Sequence, residues 1–280
     1  MNREPDEIRN EVRRDYAKRI TAPAGRGCGC GSPSTQGPLS NLAGYSPDEL
    51  ATVPAEASGS SFACGNPLAY AGVSEGEVVL DLGSGAGLDL LLAAQRVGPT
   101  GRVIGVDMTD EMIEKATKNI RAANLANVEI RKGLIEELPV ADGSVDWVIS
   151  NCVINLSPEK EKVFREIYRV LKPGGTMLVS DIVAHDLPAE LLAIPSLYSS
   201  CIAGAISEEE YLAGLRKAGM VNVEVLDRLV YDSGQIAGYA EDALGDAFAN
   251  TPEISSRVDF YAGKLAGKIW SAKVYGNKPE

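Results

Sequence analysis

From position 77 onward, short apolar runs alternate with stretches whose apolar residues recur at helical spacing. The runs at 77–82, 102–107, 127–132, 145–150 and 175–181 are predicted strands. Between them, 87–97, 110–124 and 158–171 are predicted helices, the last with Ser157 as N-cap and Pro158 at its first position. Strands alternating with helices imply a parallel sheet covered on both faces, an α/β Rossmann-like architecture. Upstream, Ile8, Val12, Tyr16 and Ile20 recur every four residues and predict a helix over 5–20. Residues 21–41 are rich in Gly, Pro and Ser and read as a loop. Ser46-Pro47-Asp48-Glu49 opens a helix with a cap, a proline and a glutamate in the expected places. Residues 62–67 read as a turn. After Asp181 the rhythm breaks. Residues 186–206 form an apolar, helical insertion in this reading, and Ser207 to Glu210 begins another capped helix. Runs at 221–231 and 268–275 supply strands that finish the fold. Three regions follow: an N-terminal segment at 1–67, a core at 68–184 and a C-terminal region at 185–280.

The formal net charge of −12 argues against nucleic acid and anionic membranes, which recruit basic surfaces. The first twenty residues are charged and lack an apolar stretch of the secretory kind. The longest apolar candidate for a membrane span, 78–97, is interrupted by Asp81, Asp89 and glycines. A cytoplasmic monomer is the expectation. Five cysteines at irregular spacing (Cys28, Cys30, Cys64, Cys152 and Cys201) do not suit a secreted disulfide framework, and no C-x2-C pair points to zinc.

The apolar run at 78–82 ends in the turn Gly83-Ser84-Gly85-Ala86-Gly87. Glycines there let the chain turn sharply and approach a ligand closely. The spacing is G-x-G-x-G, not the G-x-G-x-x-G of nicotinamide enzymes. The second strand ends in Asp107, 24 residues after Gly83, where an acid can accept both ribose hydroxyls of an adenosine. With Asp142-Gly143-Ser144-Val145-Asp146 before strand four and Leu171-Lys172-Pro173-Gly174-Gly175 before strand five, the chain resembles the class I S-adenosylmethionine-dependent methyltransferases. That resemblance implies S-adenosylmethionine as cofactor. It places Asp81, Gly83, Ser84 and Gly85 along the methionine part, Asp107 on the ribose, Met108 against the adenine, and Ile135 and Glu136 flanking the ring. Ile135 reads equally well as core packing, and Glu136 as a solvated acid.

Strand four runs into Ser150-Asn151-Cys152-Val153-Ile154-Asn155-Leu156, where such folds place ligands. The polar-Pro-Pro-aromatic motif of nucleobase amine methylases is absent, and the single histidine, His185, reads as a loop residue. A methyl donor beside thiols, with little sign of a general base, suits a soft acceptor with its own lone pair, such as trivalent arsenic. Each cysteine taken alone also reads as a small buried hydrophobe. The strings Gly44-Tyr45-Ser46-Pro47-Asp48-Glu49-Leu50, Cys64-Gly65-Asn66-Pro67, Asp81 to Gly87, Ser150 to Leu156 and Cys201-Ile202-Ala203-Gly204-Ala205 resemble the arsenite methyltransferases. The resemblance implies arsenic held by Cys64, Cys152 and Cys201, and an internal disulfide involving Cys28 or Cys30 that thioredoxin or glutathione resets. Two other readings stay open here: methylation of a small organic acceptor such as a sterol or quinone precursor, and a non-catalytic thiol protein that sequesters or senses arsenic.

Overall fold

The computed structural model describes residues 4–21, 44–58, 65–188, 198, 201–244 and 252–280. Thr21, the first residue of the expected loop at 21–41, instead ends a helix; the rest of that loop, with Cys28 and Cys30, Cys64, and most of the expected insertion at 186–206 lie outside the described residues.

Seven strands form one sheet in the order β3-β2-β1-β4-β5-β7-β6. They are β1 (Val78–Leu82), β2 (Arg102–Asp107), β3 (Val128–Lys132), β4 (Val145–Asn151), β5 (Leu171–Ala184), β6 (Val221–Val230) and β7 (Ile269–Asn277). The first five are mutually parallel. β7 runs antiparallel to β5 and pairs with β6 at the edge. The order reverses direction at β1, so β1 and β4 diverge from a shared crevice at their carboxyl ends.

Alternate residues of the central strands feed opposite faces. Leu80, Val106, Val148 and Val179 pack with α6 (Lys160–Val170) and α7 (Glu208–Lys217), through Phe164, Ile167, Tyr211 and Leu215. Val79, Val103, Ile149 and Leu178 pack beneath α4 (Leu88–Val97), with Ile120 of α5 (Asp110–Ala122). Each fully buried aliphatic side chain contributes about 1.5–3 kcal/mol, so these two layers fix the sheet that carries the site. The short α2 (Pro47–Ala51) carries the expected capping box: the Glu49 amide donates to Ser46 Oγ, and the Ser46 amide donates back to Glu49. The equivalent box of Ser207 and Glu210 opens α7.

A third apolar cluster lies beyond the carboxyl ends of the strands. Val12 of α1 (Pro5–Thr21) joins Cys152, Leu156, Ile182, Cys201 and Ile269 there. The remaining helices are α3 (Ala55–Ser58), α8 (Ser233–Leu244) and α9 (Pro252–Leu265). The last two carry no strong apolar period and were not among the predicted elements.

Among the element boundaries that differ from the sequence reading, two have a cause in distant contacts. The helix expected over 158–171 begins at Lys160. Ser157 does not cap it in the expected way, because its hydroxyl donates to Glu136 and accepts from the Glu159 amide. β5 extends well beyond 175–181, because β7 pairs with it continuously from Ala184 back to Thr176. Among the described residues no helix is long and apolar enough to cross a membrane.

Candidate active site

The crevice at the switch point is bounded by the turn after β1. Gly83 and Gly85 both take left-handed backbone, with φ of 63° and 51°. A side chain on Gly83 would meet Val153 at 2.4 Å, so only glycine lets the turn lie against β4's extension. A Cβ on Gly85 would point into open space within the cleft, the place a ligand backbone approach requires. The turn is tied to β2 by the Gly83 and Ser84 amides, which donate to the Val106 carbonyl.

Asp107 closes that corner. Its carboxylate accepts from the Gly85 amide at 2.9 Å and from the Thr109 amide at 2.8 Å. Burial raises its pKa, and those two amides oppose the shift. The Thr109 side chain and the Met108 amide lower it further. Met108, Ile135 and Glu136 line the same cleft. Ile135 is part of the core cluster and also lines the cleft. Glu136 is not a solvated acid. It is buried and accepts from Arg9 Nε at 3.0 Å and from Ser157 Oγ at 2.7 Å. The eight positions assigned to the cofactor all line this one cleft.

The cleft is acidic. Asp81, Asp89 and Asp107 are all buried in its walls. Burial lifts Asp81 well above the ordinary carboxylate range, and nearby Asp89 and Asp107 add to that. Asp89 sits at about 6, again chiefly through burial, although the Tyr45 hydroxyl and the Asn151 amide pull it down. Those partners lie at 2.7 Å (Tyr45 Oη) and 3.3 Å (Asn151 Nδ2). Among the described residues Arg9 is the one cationic side chain that lines the cleft, and it already pairs with Glu136 and Glu159. Three buried carboxylates, with Arg96 only a minor influence on Asp89, suit a cationic guest. Ser84 Oγ, buried in the cleft with no partner among the described residues, offers a further contact.

At the far end, β4 delivers Asn151 and Cys152. The Cys152 amide donates to the Ser180 carbonyl at 2.8 Å, and the residue turns into left-handed backbone with φ of 57°. Cys152 lines the cofactor cleft and is disulfide-bonded to a residue outside those described. Cys201 is a free thiol, buried, also left-handed with φ of 65°. Its Sγ donates to the Cys152 carbonyl at 2.7 Å. Positions 152 and 201, 49 residues apart, are thereby brought together. Burial and then Asp181 push the Cys201 thiol pKa strongly upward, while Arg19, the Tyr16 hydroxyl and Lys160 pull it down. Among the described residues no group of three potential metal ligands converges. His185 lies apart, stacked on Trp270 and facing Glu209.

Several residues in this arrangement carried no signal in the sequence. Asp89 reads as an ordinary acid in the first turn of a helix. Tyr45 and Asn151 are single polar residues whose meeting depends on the fold. Arg9, Val12 and Tyr16 belong to α1, yet all three line the cleft. The four-residue stripe that predicted α1 marked which face was apolar but not what it would cover.

A methyltransferase domain family model matches residues 73–219. The chain is 46% identical over 237 residues to an arsenite methyltransferase of Halobacterium salinarum, covering 80% of this chain and 60% of the relative. It is 39% identical over 235 residues to an arsenite methyltransferase of Aquipseudomonas alcaligenes, covering 81% of this chain and 65% of the relative. The chain thus spans less than two thirds of the length of both. An arsenic(III) S-adenosylmethionine methyltransferase from Chlamydomonas reinhardtii has a similar structure, with a TM-score of 0.64 and 32% identity over 88% of this chain and 75% of that one.

Proposed function

We propose that this chain, which belongs to the methyltransferase domain family and within it to the arsenite methyltransferases, methylates trivalent arsenic held by its cysteines. The observation that carries this reading is the placement of Cys152 on the wall of the acid-lined cleft with the Cys201 thiol against its carbonyl. When bound, S-adenosylmethionine supplies an electrophilic methyl group on a sulfonium centre and leaves as S-adenosylhomocysteine.

The chain's residues divide the work. Gly83, Ser84, Gly85 and the carboxylates of Asp81, Asp89 and Asp107 hold a cationic nucleoside. Asp107 takes the ribose, and Met108, Ile135 and Glu136 flank the adenine. Once a thiol reductant such as thioredoxin or glutathione has supplied two electrons to open the Cys152 disulfide, Cys152 and Cys201 hold arsenic. A trivalent arsenic hydroxide exchanges each oxygen for a thiolate, and the thiol proton departs with the hydroxide as water. Inorganic arsenite has three bonds to exchange, and Cys64 supplies the third thiolate. Arsenic keeps its lone pair throughout and needs no general base. Holding that lone pair in line with the methyl carbon is the main catalytic task, and positioning of this kind is worth up to about 7–11 kcal/mol. The transfer forms an arsenic–carbon bond and raises arsenic by two oxidation levels. Two electrons from a thiol pair, with Cys28 or Cys30 as one member, return it to the trivalent state and close a disulfide. Thioredoxin or glutathione in a reducing cytoplasm reopens it.

The test is to supply labelled S-adenosylmethionine with and without arsenite and to separate the products. Label is expected in methylated arsenicals only when arsenite is present. Cys152→Ser and Cys201→Ser should abolish transfer to arsenite and methylarsenite alike, because serine is a poor ligand for soft arsenic. Cys64→Ser should fail on arsenite and still methylate methylarsenite, which needs only two thiolates. Label in an organic acceptor, or arsenic bound without any transfer, would replace this reading with one of its competitors.

A further inference from the structure

We infer that Asn155 and Asp181 are positioning residues that fix the spacing between the Cys152 and Cys201 turns, and so allow one trivalent atom to bridge both thiols. The inference rests on the proposed arsenic chemistry for its purpose, and on the following geometry for its substance.

Asn155 is fully buried on a single 3-10 turn, Ile154–Leu156, three residues after Cys152. Its backbone amide donates to Asp181 Oδ2 at 3.2 Å. Its side-chain amide donates to Asp181 Oδ1 at 2.8 Å and to the Ile182 carbonyl at 2.5 Å. Both acceptors face the same nitrogen, so the orientation of the amide is dictated. Asn155 Oδ1 is left buried without a partner. The Asn155 carbonyl accepts from Lys160 Nζ at 3.2 Å.

The same carbonyl is the seat of the second cysteine turn. A Cβ on Gly204 would stand 2.1 Å from it. The backbone at Gly204, three residues after Cys201, therefore lies directly on Asn155. Cys201 Sγ then reaches the Cys152 carbonyl. Two three-residue arms, 152–155 and 201–204, thus meet at both ends: thiol to carbonyl at one, glycine to asparagine at the other.

Asp181 anchors this junction to the sheet. It is buried at the upper end of β5 and also accepts from the Ile182 amide at 3.0 Å and the Tyr211 hydroxyl at 3.4 Å. Four donors converge on one acceptor-only carboxylate. Burial lifts its pKa to about 7, and Lys160 opposes that. Neither Asn155 nor Asp181 lines the cofactor cleft. An apolar pair would fill the same volume without leaving Asn155 Oδ1 stranded. Buried polar networks of this sort specify one arrangement among several compact ones. Here the arrangement specified is the meeting of the two cysteine turns.

The experiment separates two-thiol capture from one-thiol reactivity. In the full-length chain with Cys28, Cys30 and Cys64 replaced by serine, Cys152 and Cys201 are the remaining thiols. Phenylarsine oxide joins both with loss of one water, whereas N-ethylmaleimide alkylates either alone. Asn155→Ala, Asp181→Asn and, separately, Gly204→Ala are placed in that background and fully reduced. Each is expected to weaken phenylarsine oxide binding at least tenfold. Alkylation at each thiol should stay as fast or become faster, and the calorimetric affinity for S-adenosylmethionine should stay within twofold. Phenylarsine oxide affinity within twofold of the parent overturns the inference. So does parallel loss of cofactor affinity, or failure of all three variants to fold, either of which makes the junction part of the general scaffold. The probe needs no methyl transfer. A chain that captures it through both thiols yet never methylates arsenite would refute the proposed activity and leave the positioning role intact.

Discussion

Asp89 is held in the cofactor cleft at a cost to the empty fold, and replacing it should expose that cost. Burial places its carboxyl at about 6, against an unfolded value of 3.8. The folded chain therefore keeps a proton that the unfolded chain gives up between those values. The group's contribution falls as pH rises from about 4 to 6 and stays low above that. Two units at 1.36 kcal/mol each amount to about 3 kcal/mol at pH 8. Asp89→Asn removes that burden. Its oxygen still accepts the Tyr45 hydroxyl, but its new NH2 faces the Asn151 amide that donated to the carboxylate at 3.3 Å. A donor set against a donor costs about 1 kcal/mol. The net expectation is a gain of about 2 kcal/mol at pH 8 and a loss of about 1 kcal/mol at pH 4. For a chain of this size each kilocalorie moves the midpoint by about 2–4 °C, so the apo variant should melt about 4–8 °C higher at pH 8 and slightly lower at pH 4. The same variant should lose at least about tenfold in affinity for S-adenosylmethionine, because a hydrogen bond to a charged group is worth about 1.5–3 kcal/mol. The assay is thermal melting of the apo chain across pH, paired with calorimetry. A stability change of the same sign and size at both pH values would refute the reasoning, since the burden is present only where the carboxyl is ionised.

Asp107→Ala should weaken cofactor binding roughly ten- to a hundredfold, from the loss of a charged acceptor worth about 1.5–3 kcal/mol; unchanged affinity by calorimetry would mean the adenosine lies elsewhere. Arg9→Ala should strip the buried Glu136 of its cation, destabilise the chain by about 2–4 kcal/mol, and speed amide exchange along α1; normal exchange there would show that apolar contacts at Val12 hold the helix alone. Gly65→Ala would place its Cβ 2.5 Å from the Ser180 Cβ and should cost about 1–3 kcal/mol, read as a lower denaturant midpoint with an unchanged slope.

The sheet was legible because its central strands are short apolar runs, β1 stopping before Gly83 and β2 at Asp107. That is also why these cleft-lining positions were legible: Gly83, Gly85 and Asp107 sit where a strand stops, and strand ends are visible in one dimension. What was not legible depended on partners far along the chain. The length of β5 comes from pairing with β7, about ninety residues later in the sequence, and nothing local announces it. The start of α6 moved to Lys160 because Ser157 spends its hydroxyl on Glu136, a neighbour only in space. Asp89 follows the ordinary pattern of an acid in a helix's first turn, and only the arrival of Tyr45 and Asn151 turns it into part of the cleft wall. The α1 stripe of Ile8, Val12, Tyr16 and Ile20 gave the helix and its apolar face, but Arg9 reaches Glu136 from the edge of that face, and no spacing rule marks it.

The backbone at the two described cysteines bears on why thiols occupy those positions. Five described non-glycine residues take positive φ, and the other three are Asn124, Asp186 and Asn222. Asparagine and aspartate visit this region readily because their short polar side chains bond locally. Cysteine has no such aid, and the conformation costs about 1–2 kcal/mol for an ordinary side chain. Glycine at 152 or 201 would relieve the strain, so local backbone preference is no reason for cysteine at either place. Packing is a weak reason too, since alanine fills a similar volume without a donor that must find the Cys152 carbonyl. What remains is the sulfur itself. The left-handed turn at 152 bends the chain off the end of β4 at the wall of the cleft, and the one at 201 directs its thiol to the same point. Strain of this kind persists where the surroundings over-determine it and gathers at sites that use it. Here the surroundings are the Asn155–Asp181 junction on one side, whose donors are all the chain's own groups, and the acid-lined cleft on the other.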